Sequence, residues 1–180
     1  VALTFSFSPV EVDQLSFSSY RDAKDKDREA VEQIAYSSFH CSRFHLDPYI
    51  LNEYANIIKR DWAGNYFTGK RGQRMFIAES DGVVAGFLLV LEKQTAKGMC
   101  WTIDLIAIHP SYQGKGIGEG LVKYFIQQSC GLACKLLVGT QVSNIPSVRL
   151  YEKNGFRLQQ SQFVMHYWNS LEDRNYANCG

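Results

Sequence analysis

The chain has 180 residues, 46% of them apolar and 21% charged, with a formal charge of +1. This suits one globular domain with a full core, and the near-zero charge gives no electrostatic case for nucleic acid or a membrane surface as the main partner. The longest apolar run, residues 83–91, is well short of the ~20 residues that cross a bilayer, and no basic stretch leads into an apolar one at the start, so a cytoplasmic protein without a secretory signal is expected.

Residues 1–10 read as an irregular lead-in, and the alternation over residues 15–20 suits a first strand. Residues 25–39 form a helix candidate with an apolar stripe of Ala30, Ile34, Ala35 and Tyr36 and acidic residues near its start. Pro48 can open a second helix containing Tyr49, Tyr54, Ile57, Ile58 and Trp62, followed by a polar loop over residues 64–72. Two strands, 74–79 and 83–91, flank Ser80-Asp81-Gly82, a strong hairpin signal. A further strand over 101–108 ends at His109-Pro110, and a Gly-rich loop leads into a helix over 116–129 that stops at Gly131. A strand over 134–140, a helix over 144–153 halted by Asn154-Gly155, and a last strand over 157–168 complete the chain. The helix between strands 101–108 and 134–140 makes those two strands parallel. The last strand can lie at a sheet edge and pair with a second copy, so a monomer or a homodimer is expected.

The five cysteines, Cys41, Cys100, Cys130, Cys134 and Cys179, match no zinc spacing, so no metal is expected. They read as reduced thiols of a cytosolic protein.

The loop Gln113-Gly114-Lys115-Gly116-Ile117-Gly118 carries the first chemical signal. A strand-to-helix turn aims free N–H groups and the positive helix end at one point, which suits a phosphate, and glycines let the backbone approach closely. A Walker loop requires Ser or Thr after the lysine, and Gly116 stands there. The dinucleotide fingerprint fails in both registers, which end on Glu119 and Leu121. Gln113, Gly116 and Gly118 fit the remaining pattern, Gln/Arg-x-x-Gly-x-Gly/Ala. A tight turn without ligand is the alternative.

With this loop the chain resembles the GNAT superfamily of N-acetyltransferases, in which it holds the pyrophosphate of coenzyme A. The resemblance extends to Asp104-Leu105-Ile106-Ala107-Ile108-His109-Pro110 before the loop and to Asn144-Ile145-Pro146-Ser147-Val148-Arg149-Leu150-Tyr151-Glu152-Lys153-Asn154-Gly155-Phe156 after it. It implies a single α/β (α+β) domain over residues 1–180: a mixed, mostly antiparallel sheet, one splayed parallel strand pair and helices on both faces. It also implies an acetyl-CoA-binding core over about 74–168 and acceptor-side helices and loops over about 1–70.

Asn144, Ser147 and Tyr151 stand at i, i+3 and i+7, so one helix face offers an amide, a hydroxyl and a phenol. The resemblance places Asn144 on the pantetheine arm and the Tyr151 hydroxyl by the thioester sulfur, while an N-cap and a core tyrosine are the plain alternatives. Ile106, Ala107 and Ile108 would present backbone groups to the cofactor, with the N–H near Ile106 on the thioester carbonyl. Gln113, Gly114, Lys115, Gly116, Ile117, Gly118 and Ser147 complete its contacts.

A phenol at Tyr151 can protonate the leaving thiolate. Asp104 is the candidate base, directly or through water, because an acid in an apolar strand invites a raised pKa. Pairing with a neighbouring loop is equally open for it, and His109 reads as a turn residue.

Ser42-Arg43-Phe44-His45-Leu46-Asp47-Pro48 is similar to a stretch in bacterial TDP-fucosamine acetyltransferases. So are the runs Gly139 to Asn144 and Phe163-Val164-Met165-His166-Tyr167-Trp168. This narrower resemblance makes Arg43 and His45 acceptor contacts, against a loop held by its own salt bridges. The reading is an N-acetyltransferase moving acetyl from acetyl-CoA to a small-molecule primary amine, most plausibly on an amino-sugar nucleotide, by direct attack in a ternary complex. A protein N-terminus, lysine, polyamine or antibiotic acceptor, a non-catalytic acyl-CoA-binding module, and an unrelated nucleotide-binding α/β domain are the competing readings.

Overall fold

The computed structural model describes residues 1–9 and 19–165. The densest apolar stretch folds as three successive antiparallel strands: β3 (Arg74–Ser80), β4 (Val83–Thr95) and β5 (Gly98–Ile108). Asp81 and Gly82 have φ of 52° and 76°, the doubly left-handed geometry that a two-residue hairpin turn demands. The β4–β5 hairpin runs past the apolar residues to Thr95 and Gly98, because the ladder continues through exposed polar side chains. Successive residues alternate faces and both faces are covered. Met75, Ile77, Phe87 and Leu89 pack with α1, whereas Phe76, Ala78, Leu88 and Val90 pack with α3.

Helix α1 (Arg28–Ser37) follows one tight turn at Asp25–Asp27 and buries Val31, Ile34 and Ala35. Helix α2 (Asn52–Phe67) begins four residues after Pro48, which lies instead in the preceding turn, where the Tyr49 N–H donates to Asp47 Oδ1 at 2.9 Å. The helix also runs through Gly64 into the segment expected to be loop. A Cβ on Gly64 would lie 2.6 Å from Glu32 Oε1, the end of a flexible side chain that can move aside. The packing of α2 against α1 through Ala63, Val31 and Ile34 outweighs the helix penalty of glycine, about 1 kcal/mol.

The remaining elements are β2 (Tyr20–Asp22), α3 (Ile117–Ser129), β6 (Lys135–Gln141), α4 (Ile145–Lys153) and β7 (Arg157–Gln162). Most of the expected first strand, and the last three residues of the expected final one, lie outside the described residues; Tyr20 opens β2.

The lead-in expectation is overturned. Residues Ala2–Phe7 form strand β1, inside the sheet, in the order β2-β3-β4-β5-β6-β1-β7. β1 pairs antiparallel with both β6 and β7, and Phe5 is 1% exposed. The expected α/β architecture holds: α1 and α2 cover one face of a seven-stranded mixed sheet, and α3 and α4 the other. Among the described residues its one parallel pair is β5–β6, and β7 lies at an edge.

Candidate active site

Strands β5 and β6 pair only from Cys100↔Lys135 to Ile103↔Val138. β5 then runs on to Ile108 and β6 to Gln141 without further pairing between them, which opens a wedge in the sheet. The His109 N–H donates to the Ala85 carbonyl on the β4 side at 2.9 Å. By the alternation of an antiparallel strand, Ile106 and Ile108 therefore turn their N–H and C=O groups toward the wedge.

The Gly-rich loop stands at the end of β5. Gln113 Nε2 donates to the Ile108 carbonyl at 3.1 Å, fixing the loop to the strand. Gly114 and Gly116 have φ of 75° and 79°, and Gly116 caps α3 in the left-handed conformation. A Cβ at either glycine would meet nothing within 4 Å. The glycines thus serve the turn and leave a clear approach to the backbone. The first N–H groups of α3, from Ile117, Gly118 and Glu119, have no intrahelical acceptor. Lys115 Nζ lies 5.0 Å from the Tyr112 ring centroid, beside this helix end. These features make a cradle for an anionic group, and a strand-like ligand can continue from it along the open edge of β5.

Helix α4 forms the other wall. Asn144 is its N-cap and accepts from the Ser147 N–H at 3.4 Å, so the amide oxygen is engaged in capping. Its Nδ2 makes no hydrogen bond among the described residues. Tyr151 is 3% exposed, between the rings of Phe5 at 6.1 Å and Phe156 at 6.0 Å. Burial pushes its phenol well above the ordinary range, and a hydrogen bond with Ser147 pulls weakly the other way. The group is a protonated donor throughout neutral pH. Glu119 ties the two walls together, receiving Lys123 of α3 at 2.8 Å and Lys153 of α4 at 2.6 Å.

Asp104 sits at a β-bulge. Leu89 pairs with Leu105 and Val90 with Ile103, which leaves Asp104 as the extra residue. The bulge resets the alternation and the carboxylate faces α2. Its Oδ2 accepts from Trp62 Nε1 at 2.6 Å, Tyr66 Oη at 2.8 Å and Arg71 Nε at 2.7 Å, and its Oδ1 accepts from Arg71 Nη2 at 2.7 Å. Its surroundings are therefore polar, unlike the apolar strand the sequence suggested. Burial, and then the Asp104 charge, drive the Tyr66 phenol far upward, and the fork raises Arg71 further. His109 caps the turn after β5, its Nδ1 accepting from the Ser111 N–H at 3.2 Å.

In the loop before α2, both ring nitrogens of His45 are engaged, Nδ1 with Ser42 Oγ at 2.6 Å and Nε2 with Asn56 Oδ1 at 2.9 Å. His45 thus pins its loop to α2. Arg43 is exposed, its guanidinium 4.8 Å from the Phe44 ring centroid. It lines an open depression of about 360 Å³ with Asp47, Tyr49, Gln141 and Val164, next to the end of β6.

The residues that sequence reasoning missed lie on or just after α2: Lys59, Trp62, Tyr66 and Arg71. Lys59, Trp62 and Tyr66 stand at i, i+3 and i+7, the spacing that singled out the face of α4.

A strand pair splayed beside a Gly-capped helix is the architecture that the resemblance to the GNAT enzymes implies. The profile of the Acetyltransferase (GNAT) family matches residues 29–156, and the chain belongs to that family. The Bacillus subtilis spore coat polysaccharide biosynthesis protein SpsD is 33% identical over 147 residues, covering 81% of this chain and 49% of SpsD. The L-methionine sulfoximine/L-methionine sulfone acetyltransferase of Salmonella typhimurium is 30% identical over 88 residues, 47% of this chain and 51% of that protein. The chain thus spans about half the length of these curated relatives. Among solved structures, the ribosomal-protein-alanine N-acetyltransferase of Brucella melitensis superposes with a TM-score of 0.61 at 16% identity, over 82% of this chain and 99% of that one. It shares the fold. No helix among the described residues is long and apolar enough to cross a membrane.

Proposed function

We propose that the protein moves an acetyl group from acetyl-CoA to a primary amine, by direct attack in a ternary complex. The observation that carries this is the wedge between β5 and β6, with the Gly114–Gly116 cradle at one end and the Tyr151 phenol on its wall. Bound acetyl-CoA supplies the activated acyl group. The N–H groups of Gly114 to Gly118 and Lys115 would hold its pyrophosphate, the Asn144 Nδ2 would donate to the pantetheine arm, and the Ile106 N–H would take the thioester carbonyl. With acetyl-CoA bound, the amine nitrogen would bond to its acetyl carbon and CoA would leave as the thiol. Tyr151 donates its proton to the departing sulfur and recovers one from solvent. Asp104 receives the amine proton through water at Oδ1, the carboxylate oxygen with a single hydrogen bond.

The acceptor we propose is an amino-sugar nucleotide. The name of SpsD, in polysaccharide biosynthesis, supports a sugar, and the loop from Ser42 to Pro48 supports it independently. The Salmonella relative favours a second reading, an amino-acid amine. Thiol release with TDP-amino sugars, amino acids and polyamines tests the assignment. Turnover with none of them, alongside tight acetyl-CoA binding, would point to a binding module instead.

A further inference from the structure

The first turn of α3 supplies free N–H groups to the cradle, yet its own residues hold it poorly. It reads Ile117-Gly118-Glu119-Gly120, and glycine is the least favourable residue in a helix apart from proline. Its N-cap is Gly116, which has no side chain to accept from these N–H groups. Support therefore comes from outside the helix. On one side Gly118 lies against the strand end and the facing helix. A Cβ there would be 3.7 Å from Ile108 Cγ1 and 3.8 Å from Leu150 Cδ2, in ordinary contact.

Position 120 differs. A Cβ on Gly120 would fall 1.9 Å from Tyr20 Oη and 2.4 Å from Tyr20 Cζ, so the phenol ring already occupies the place of a side chain. The Tyr20 hydroxyl also reaches the Ile117 carbonyl at 3.5 Å, across 97 residues of sequence. This ring is confined. It stacks on Tyr124, one turn further along α3, with centroids 6.0 Å apart, and Tyr124 meets Phe76 edge-on at 5.1 Å. The backbone behind it is held too, since Tyr20 pairs with Ala78 and the Glu79 N–H donates to the Ser19 carbonyl at 2.8 Å. A rigid ring on a paired strand thus lies against the glycine-rich start of α3.

We propose that Tyr20 is a positioning residue for cofactor binding: it seats the first turn of α3, and position 120 is glycine because the ring stands where a side chain would. The edge strand β2 thereby acts on the cradle through the helix. The inference rests on the acetyl-transfer reading, which puts coenzyme A in this cradle.

The test is coenzyme A binding to the whole chain by calorimetry, well below the Tm of each variant, where a loss of global stability alone leaves Kd unchanged. Tyr20→Ala should weaken binding about fivefold or more, because the binding-competent turn is then less populated. Tyr20→Phe should stay within about twofold of the native chain, since the ring gives the support and a contact at the limit of hydrogen-bond distance adds little. Gly120→Ala separates the two accounts by sign. Alanine is the better helix former, so if Tyr20 has no such role it firms the turn and CoA binds as tightly or more tightly. With Tyr20 in place, the added methyl displaces the ring or the helix, and CoA should bind about fivefold more weakly. In the Tyr20→Ala background the same substitution should instead restore affinity. Gly120→Ala carries the test if Tyr20→Ala fails to fold. Unchanged or tighter binding in Gly120→Ala, native-like binding in Tyr20→Ala, or losses that simply add in the double variant overturn this proposal alone. A native chain that does not bind coenzyme A overturns the acetyl-transfer reading, and this inference falls with it.

Discussion

Removing the Asp104 carboxylate tests whether the bulge on β5 is held from α2. In Asp104→Ala, the Trp62 N–H, the Tyr66 hydroxyl and the Arg71 guanidinium all lose their acceptor. A donor left unsatisfied in a partly buried place costs about 1–2 kcal/mol, so Trp62 and Tyr66 together account for roughly 3 kcal/mol. Arg71 is 37% exposed, so solvent recovers most of its loss and about 0.5–1 kcal/mol remains. The expected destabilisation is about 3–4 kcal/mol, a fall in Tm on the order of 10 °C for a domain of this size. Urea denaturation of Asp104→Ala, Tyr66→Phe and the double variant measures it. Tyr66→Phe should cost about 1 kcal/mol in the native background and almost nothing once Asp104 is gone, because the two share one bond. A loss below about 1 kcal/mol in Asp104→Ala, or additive losses in the cycle, refutes the network as the anchor of the bulge.

Asp104→Asn keeps the shape and should lower kcat/KM by about a hundredfold if the carboxylate receives the amine proton; an unchanged pH–rate profile would remove it from that role. Tyr151→Phe should lower kcat by about a hundredfold with CoA affinity retained, checked by thiol release and calorimetry. Gly116→Ala forces a side chain onto a left-handed backbone in open space, so it should cost about 1–2 kcal/mol of stability and weaken CoA binding, without steric collapse. Lys59 sits at about 8 when folded against its ordinary 10.5, so between those values the unfolded chain binds more protons and stability rises with pH. Lys59→Met should therefore be more stable than the native chain at pH 7, with the gain shrinking toward pH 10 in urea titrations; a gain independent of pH would show that burial does not hold the Lys59 amine down.

The sequence and the structure agree where local chemistry decides. Asp81-Gly82 makes its hairpin, Gly116 begins α3, and Asn144 caps α4 in register with Tyr151. They part where distant residues decide. Leu3, Phe5 and Phe7 alternate with Thr4 and Ser6 as a strand should, yet the partners that make β1 an interior strand lie more than a hundred residues onward. The bulge at Asp104 has no signature in its own residues, and the donors that fix its carboxylate come from α2 and the loop after it. His45 stood out as a polar residue in a polar loop, while the spent ring nitrogens became visible only once Asn56 was placed beside it. The helix through Gly64 shows the same division, since what holds it is packing on α1, another helix.

The position of β1 also bears on the order in which the catalytic centre can be assembled. Phe5 packs on Tyr151, and β1 joins β6 to β7, so β1 is a keystone whose partners are made more than a hundred residues after it. A ribosome would release the β3–β5 meander and both early helices long before the phenol gains its aromatic wall. Closure of the sheet then spans nearly the whole domain, a contact of high sequence separation and correspondingly slow formation. Until it closes, β6 presents a bare strand edge to its surroundings, the kind of surface on which nascent chains associate. The packing of Phe5 on Tyr151 is thus a late event of folding, reached only when β1 meets β6 and α4.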